Sequence, residues 1–206
     1  MARPKAIENR IELIIEAADE LFARYGYERT SVEDIARHLN IGKGSIYLDF
    51  PTKEEILITI LRRHAQRMHE FMEKKVESSS RSPLKTLQEM MEESVTMVFD
   101  IVTRDIHTPE ALLHTSIQMK SRCSDFFARK RALILKLLVK AAAAGEISKS
   151  KANEDVALAL MMGTSALFPP YYNNYFETTS KITKADLSKR AMVLIKTLIS
   201  GLKKAD

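Results

Sequence analysis

Between Ser31 and Phe50 the chain reads SVEDIARHLNIGKGSIYLDF, two helical patterns separated only by Asn40-Ile41-Gly42. Each pattern is about two turns long, whereas an isolated helix needs roughly 12–15 residues to persist in water. Both must therefore pack on something else. The surface on offer lies just upstream, where Ile7, Ile11, Ile14, Ala18, Leu21 and Tyr25 recur at intervals of three and four before Gly26 ends the pattern. Leu21 and Phe22 of that first helix are expected to meet Ile35, Ile46 and Phe50. Three helices with a tight turn between the last two make a helix-turn-helix, an arrangement in which the leading end of the last helix projects into a DNA major groove.

Local signals place the boundaries. Ser31 with Asp34 has the form of a capping box, and Thr52 with Glu55 repeats it at the start of a long helix running to about Val76. Asn40 suits a left-handed stop. The third helix covers roughly Lys43–Phe50, ended by Pro51. After a polar linker at Ser78–Ser82, helical patterns follow at about 83–103, 109–120, 124–144, 153–168 and 184–203, punctuated by Gly145 and Pro169-Pro170. Six glycines and six prolines argue against a strand-and-turn architecture. The expectation is an all-α chain of about nine helices, with a head over 1–53 and a larger domain over 54–206.

Net charge is +5, but the head carries eight Lys/Arg against nine Asp/Glu. Bulk charge therefore cannot carry a nucleic-acid reading, and the placement of individual residues must. Gly42 sits at an N-cap, where glycine is tolerated. Gly44 lets backbone approach a sugar-phosphate surface closely. Lys43 can neutralise a phosphate, Ser45 can reach a base edge or phosphate, and the Tyr47 hydroxyl can donate to a phosphate oxygen. Leu48 suits a thymine methyl or packing against the first helix. Thr30 and Lys53 are expected to flank the same groove. The G-K-G-S string is not a nucleotide-phosphate loop, which needs two glycines five apart before Lys-Ser/Thr and a preceding strand.

Other chemistries find little support. The single cysteine, Cys123, allows no internal disulfide or cysteine zinc cluster. His64 and His69 share no helical face, and Pro109 separates His107 from His114. No activated nucleophile, carboxylate pair or metal spacing stands out, so no catalytic residues, metal or cofactor are expected. The amino-terminal MARPKAIENR lacks a following apolar region, and the longest apolar run, Val156–Phe168, is too short to span a bilayer. A cytoplasmic protein without membrane partners is expected.

Residues 10–57, RIELIIEAADELFARYGYERTSVEDIARHLNIGKGSIYLDFPTKEEIL, resemble the amino-terminal DNA-binding domain of TetR-family transcriptional regulators. The resemblance rests on Ala-Ala and Leu-Phe in the first helix, Gly-Tyr, Thr-Ser-Val and Asp-Ile-Ala, then Gly-Ser-Ile-Tyr, Phe and Lys-Glu. Three positions depart from the family pattern. Asn40 stands where glycine is usual, and Gly42 where Ser or Thr would cap. Asp49 stands where His, Tyr or Asn is common; it either points away from DNA or accepts from a cytosine amino group. The arm of Arg3, Lys5 and Arg10 reaches phosphates or the minor groove, or is a solvated tail.

The resemblance also implies a homodimer joined by a four-helix interface and a ligand cavity in the larger domain. In DVALALMMGTSALF apolar residues circle the helix, the mark of burial on several sides. The last helix has one stripe through Leu187, Ala191, Leu194, Leu198 and Leu202 and another through Met192, Ile195 and Ile199. Val156, Leu160, Leu167, Leu187, Ala191, Leu194 and Leu198 are the expected dimer contacts, and two heads about one DNA turn apart would read a palindrome. Methionines and aromatics between head and interface suggest an apolar or aromatic small-molecule effector, with Met97, Arg104, Met119, Arg122, Phe126 and Phe168 as candidate lining. The function expected is a repressor released from a palindromic operator by that effector. A constitutive DNA-binding architectural protein without an effector is the alternative.

Overall fold

A computed structural model describes residues 5–105, 122, 124–167 and 183–203, with backbone only at 5–8 and 102–105. Among these the architecture is all-α: α1 (Lys5–Tyr25), α2 (Val32–His38), α3 (Lys43–Tyr47), α4 (Lys53–Ser78), α5 (Pro83–Asp105), α6 (Ser124–Ala143), α7 (Glu154–Ser165) and α8 (Lys184–Leu202), with a 3-10 turn at Lys149–Lys151. The expected helix at 109–120 lies outside the described residues. No described helix is long and apolar enough to cross a membrane.

The chain forms two compact units, Met1–His64 with Ile101–Arg122, and Ala65–Asp100 with Cys123–Asp206. The first runs beyond residue 53 for a packing reason. Ile56, Leu57, Ile60 and Leu61 of α4 share one buried cluster with Ile14, Ala18, Leu21 and Phe22 of α1, Val32, Ile35 and Ala36 of α2, and Ile46 and Phe50. That is the core read from periodicity, with the first turns of α4 added.

The cap and stop of α2 form as the sequence dictates. Ser31 and Asp34 complete a reciprocal box at α2, and Asn40 takes φ 54° after it. α3 is shorter than expected, ending at Tyr47, because the backbone closes into a turn in which the Asp49 and Phe50 amides both donate to the Ile46 carbonyl at 3.0 and 2.8 Å. Ile46 is its only fully buried residue; truncating such a side chain costs about 2–5 kcal/mol, so this one contact seats the helix.

In the second unit α4 contributes Met68, Met72 and Val76, α5 Leu87, Met90, Met91 and Val95, and α6 Leu133, Ile134, Leu137 and Leu138, all buried. α7 and α8 cross closely at Gly163, where an added Cβ would stand 3.1 Å from a Leu198 methyl. The end of α8 is closed by Lys151, whose ammonium donates to the carbonyls of Gly201, Leu202 and Lys203 at 2.9, 3.2 and 3.3 Å. A cation at a helix C-terminus satisfies orphan carbonyls and complements the dipole.

Candidate nucleic-acid interface

α3 turns Ile46 inward and leaves Gly42, Lys43, Gly44, Tyr47 and Leu48 exposed, with Ser45 half-buried. Leu48 is 78% exposed, so it does not pack against α1. The Lys43 ammonium lies 5.7 Å from the Tyr47 ring centroid, a spacing within cation–π range. Gly42 has φ −71° and caps α3 without a side chain. Among the described residues, no side chain or neighbouring segment beyond the local backbone comes within 4 Å of the position a Cβ would occupy at Gly42 or Gly44. Internal packing and backbone strain thus give no reason for the two glycines, and what they do is strip the leading edge of α3 to bare backbone.

Two of the expected flanking residues have other uses. Thr30 is buried, and its hydroxyl donates to the Gly26 and Leu21 carbonyls at 2.9 and 3.4 Å; it locks the turn between α1 and α2 instead of facing outward. Lys53 donates to the Tyr27 and Thr30 carbonyls at 2.8 and 3.0 Å and sits 4.2 Å from the Tyr27 ring centroid. Burial lowers the Lys53 pKa, with Glu28 opposing the shift. Burial also pushes the Tyr27 hydroxyl up to about 12, helped by Glu54 and Glu28. The first residue of α4 thereby holds the turn that delivers α2.

The acidic residue after Leu48 is also accounted for. Asp49 receives Arg10 Nε and Nη2 at 2.7 and 3.1 Å, with its side chain 8% exposed. It points away from the exposed edge, and Arg10 is committed to it. Arg3 and the Lys5 side chain lie outside the described residues. Three further ties act within this unit: Arg63 with Glu12, His64 with Asp19 at 3.4 Å, and Arg122 with Glu55. Sequence spacing offers no signal for any of these.

In the second unit the expected dimer residues divide. Leu160, Leu167, Leu187 and Ala191 are buried within their own chain, while Val156, Leu194 and Leu198 are partly buried. Ile195, Ile199 and Leu202 are buried as well. On α7 and α8 the exposed large apolar residues are Leu158 and Met162, and Met192 and Val193, at 42, 65, 43 and 63% exposure. Among the expected effector residues, Phe126 is buried, edge-on to Phe127 at 5.6 Å, and Met97 is half-buried. The Arg104 side chain, Met119 and Phe168 lie outside the described residues. No group of three or more His, Cys, Asp or Glu among the described residues is placed to hold a metal ion.

Comparison with known proteins follows this division. Residues 14–60 match the family of bacterial regulatory proteins, tetR family. YuxN of Bacillus subtilis, an uncharacterized HTH-type transcriptional regulator, is 46% identical over 27% of this chain, a match spanning only 19% of its own length. The fatty acid metabolism regulator protein of Bacillus subtilis is 26% identical over 97% of this chain and 96% of its own. A transcriptional regulator from Cytophaga hutchinsonii shares the fold at TM-score 0.71 and 18% identity, covering 95% of this chain and 99% of its own. FadR of Bacillus subtilis, solved in complex with stearoyl-CoA, aligns at TM-score 0.64 and 21% identity over 93% of this chain and 98% of its own. The helix-turn-helix head, from α1 into α4, is thus matched by the tetR family of bacterial regulatory proteins, and the whole chain shares the fold of solved transcriptional regulators.

Proposed function

We propose that this regulator is a homodimeric repressor that reads a palindromic operator with the exposed edge of α3 and releases it when a small apolar effector binds the second unit. The observation that carries the DNA reading is the composition of that edge. Lys43, Ser45 and Tyr47 supply donors at one end of a helix whose two glycines answer to no contact inside the chain. Such an edge suits close approach to phosphates and base edges. Lys43 and Tyr47 hold phosphates, Ser45 reaches a phosphate or base edge, and Leu48 meets a thymine methyl.

The dimer is supported by the outward apolar residues of α7 and α8, Leu158, Met162, Met192 and Val193. A pair of heads then engages two half-sites about one helical turn apart, roughly 34–36 Å. The effector is supported by the methionine-rich interior of the second unit, because methionine adapts to irregular apolar ligands. FadR, with its stearoyl-CoA, makes a long-chain acyl thioester the first compound to try. α4 begins in the first unit and ends in the second. Effector binding that shifts α4 displaces Lys43, Ser45 and Tyr47, and a coupling of about 1–3 kcal/mol lowers operator affinity roughly 5- to 150-fold.

Selection of bound duplexes from a random pool tests the reading. The expected result is an inverted repeat whose binding weakens on Lys43→Ala or Tyr47→Phe substitution and on addition of an acyl thioester. Recovery of unrelated sequences would overturn the operator reading. Unchanged affinity at saturating ligand would overturn the release mechanism for that ligand class.

A further inference from the structure

We infer that Arg122 is a positioning residue for operator binding, clamping the opening turns of α4 and, through Lys53, the turn that carries α2. Its guanidinium meets Glu55 in a two-pronged pair, Nη1 to Oε1 at 2.7 Å and Nη2 to Oε2 at 2.6 Å, across 67 residues of sequence. Its own carbonyl accepts a hydrogen bond from Arg62. Glu55 and Arg62 lie seven residues apart on α4, so both face the same side of the helix. One residue therefore grips α4 at two points two turns apart, fixing its rotation as well as its height.

The grip displaces a local alternative. Thr52 accepts from the Glu55 amide at 3.2 Å, which is half of the capping box that the sequence predicts. The other half would need the Glu55 carboxylate to turn back to Thr52, but that carboxylate is held by Arg122. Arg122 also keeps the carboxyl below its usual range, chiefly by hydrogen bonding. The path onward is short. Lys53, two residues before Glu55, reaches the Tyr27 and Thr30 carbonyls at 2.8 and 3.0 Å. A displacement of about 1 Å at the start of α4 stretches these bonds beyond hydrogen-bonding range. The turn before α2 is then released, and α3 moves with α2, to which it is joined by the four residues 39–42 and by the Ile46 anchor in the shared core.

The inference rests on the DNA-binding reading, and its test begins with the duplex selected above. Arg122→Gln, Glu55→Gln, the double substitution, Arg122→Lys and the exchanged pair Glu55→Arg with Arg122→Glu are titrated on that duplex, and their melting temperatures are recorded. Each single Gln change is expected to weaken binding about three- to tenfold. The double change should add nothing further. Arg122→Lys, which keeps charge but not the fork, should fall between, and the exchanged pair should recover most of the affinity with the preferred sequence unaltered. Additive losses, or an exchanged pair that melts like the unsubstituted protein yet stays weak, would overturn the inference. If the unsubstituted protein selects no sequence, the DNA-binding reading falls, and this inference falls with it.

Discussion

Arg10 and Asp49 join the first helix to the turn that follows α3 by two hydrogen bonds, Nε to Oδ2 at 2.7 Å and Nη2 to Oδ1 at 3.1 Å. They convert an acidic residue that would repel DNA into a strut. Asp49 is the less exposed partner, 8% against 34%, so the two deletions are not equivalent. Arg10→Ala leaves a carboxylate stranded in a nearly closed site, whereas Asp49→Asn leaves a cation that can swing into water. Arg10→Ala should destabilise the chain more than Asp49→Asn, and the double substitution should cost less than the sum of the two. Denaturant unfolding of the four proteins in a double-mutant cycle measures this. Independent, additive effects would show that the pair does not act as a strut.

Gly44→Ala separates folding from binding. Among the described residues nothing beyond the local backbone lies within 4 Å of the added Cβ, and the residue does not occupy the left-handed region. Within a helix the change should stabilise by roughly 0.5–1 kcal/mol. The same methyl would stand between backbone and DNA, so operator affinity should fall while the melting temperature rises. If affinity is unchanged, close backbone approach is not the reason for the glycine.

These two residues mark the limit of what the sequence makes legible. Caps, turns and the core face of α1 depend on neighbours three or four residues away, so the Ser31–Asp34 box, the left-handed Asn40 and the Leu21–Phe22–Ile35–Ile46 core are readable from spacing alone. The pairing of Arg10 with Asp49 spans 39 residues and that of Glu55 with Arg122 spans 67, distances at which charged side chains carry no periodic signal. Thr30 and Lys53 read as groove-flanking residues in the sequence, but the carbonyls of the turn between α1 and α2 claim both. α8 shows a different limit. Its apolar residues cover more than one face, and periodicity cannot say which face meets the chain's own core. Leu187 and Ala191 go inward, leaving Met192 and Val193 outside.

The outward pair on α7 and α8 gives a test of assembly that spares the fold. Met162 and Val193 are 65 and 63% exposed within the chain, so Met162→Glu with Val193→Glu should leave the monomer's melting nearly intact, as surface substitutions usually stay within about 0.5 kcal/mol. In a dimer the two glutamates would be buried without partners. Sedimentation at micromolar concentration should show the unsubstituted chain as a dimer and the variant as a monomer. Operator binding should weaken sharply and the dependence on two half-sites should disappear. A variant that remains dimeric would place the interface elsewhere.

Lys130 provides a pH-dependent measure of what the second unit sacrifices to keep a cation inside. It is buried on α6, donates to Ser94 Oγ at 3.2 Å, and has its pKa lowered to about 8 by burial. In the unfolded chain the same group releases its proton near the ordinary 10.5. Between these values the unfolded state binds more protons, so the Lys130 contribution makes stability rise with pH. Below about pH 8 the full cost of the buried charge is present, at most about 3 kcal/mol, and it fades as pH approaches the unfolded value. Lys130→Met replaces the ammonium with an apolar side chain of similar length, while Ser94 keeps its donation to the Met91 carbonyl at 2.9 Å. The variant should melt higher than the parent by several degrees at pH 7, and the gap should narrow from about pH 8 to pH 10. Titrating groups that do not interact with Lys130 cancel in the difference between the two proteins. A gap that stays constant across that range would mean Lys130 keeps its ordinary pKa, and that its ammonium is solvated in the folded chain.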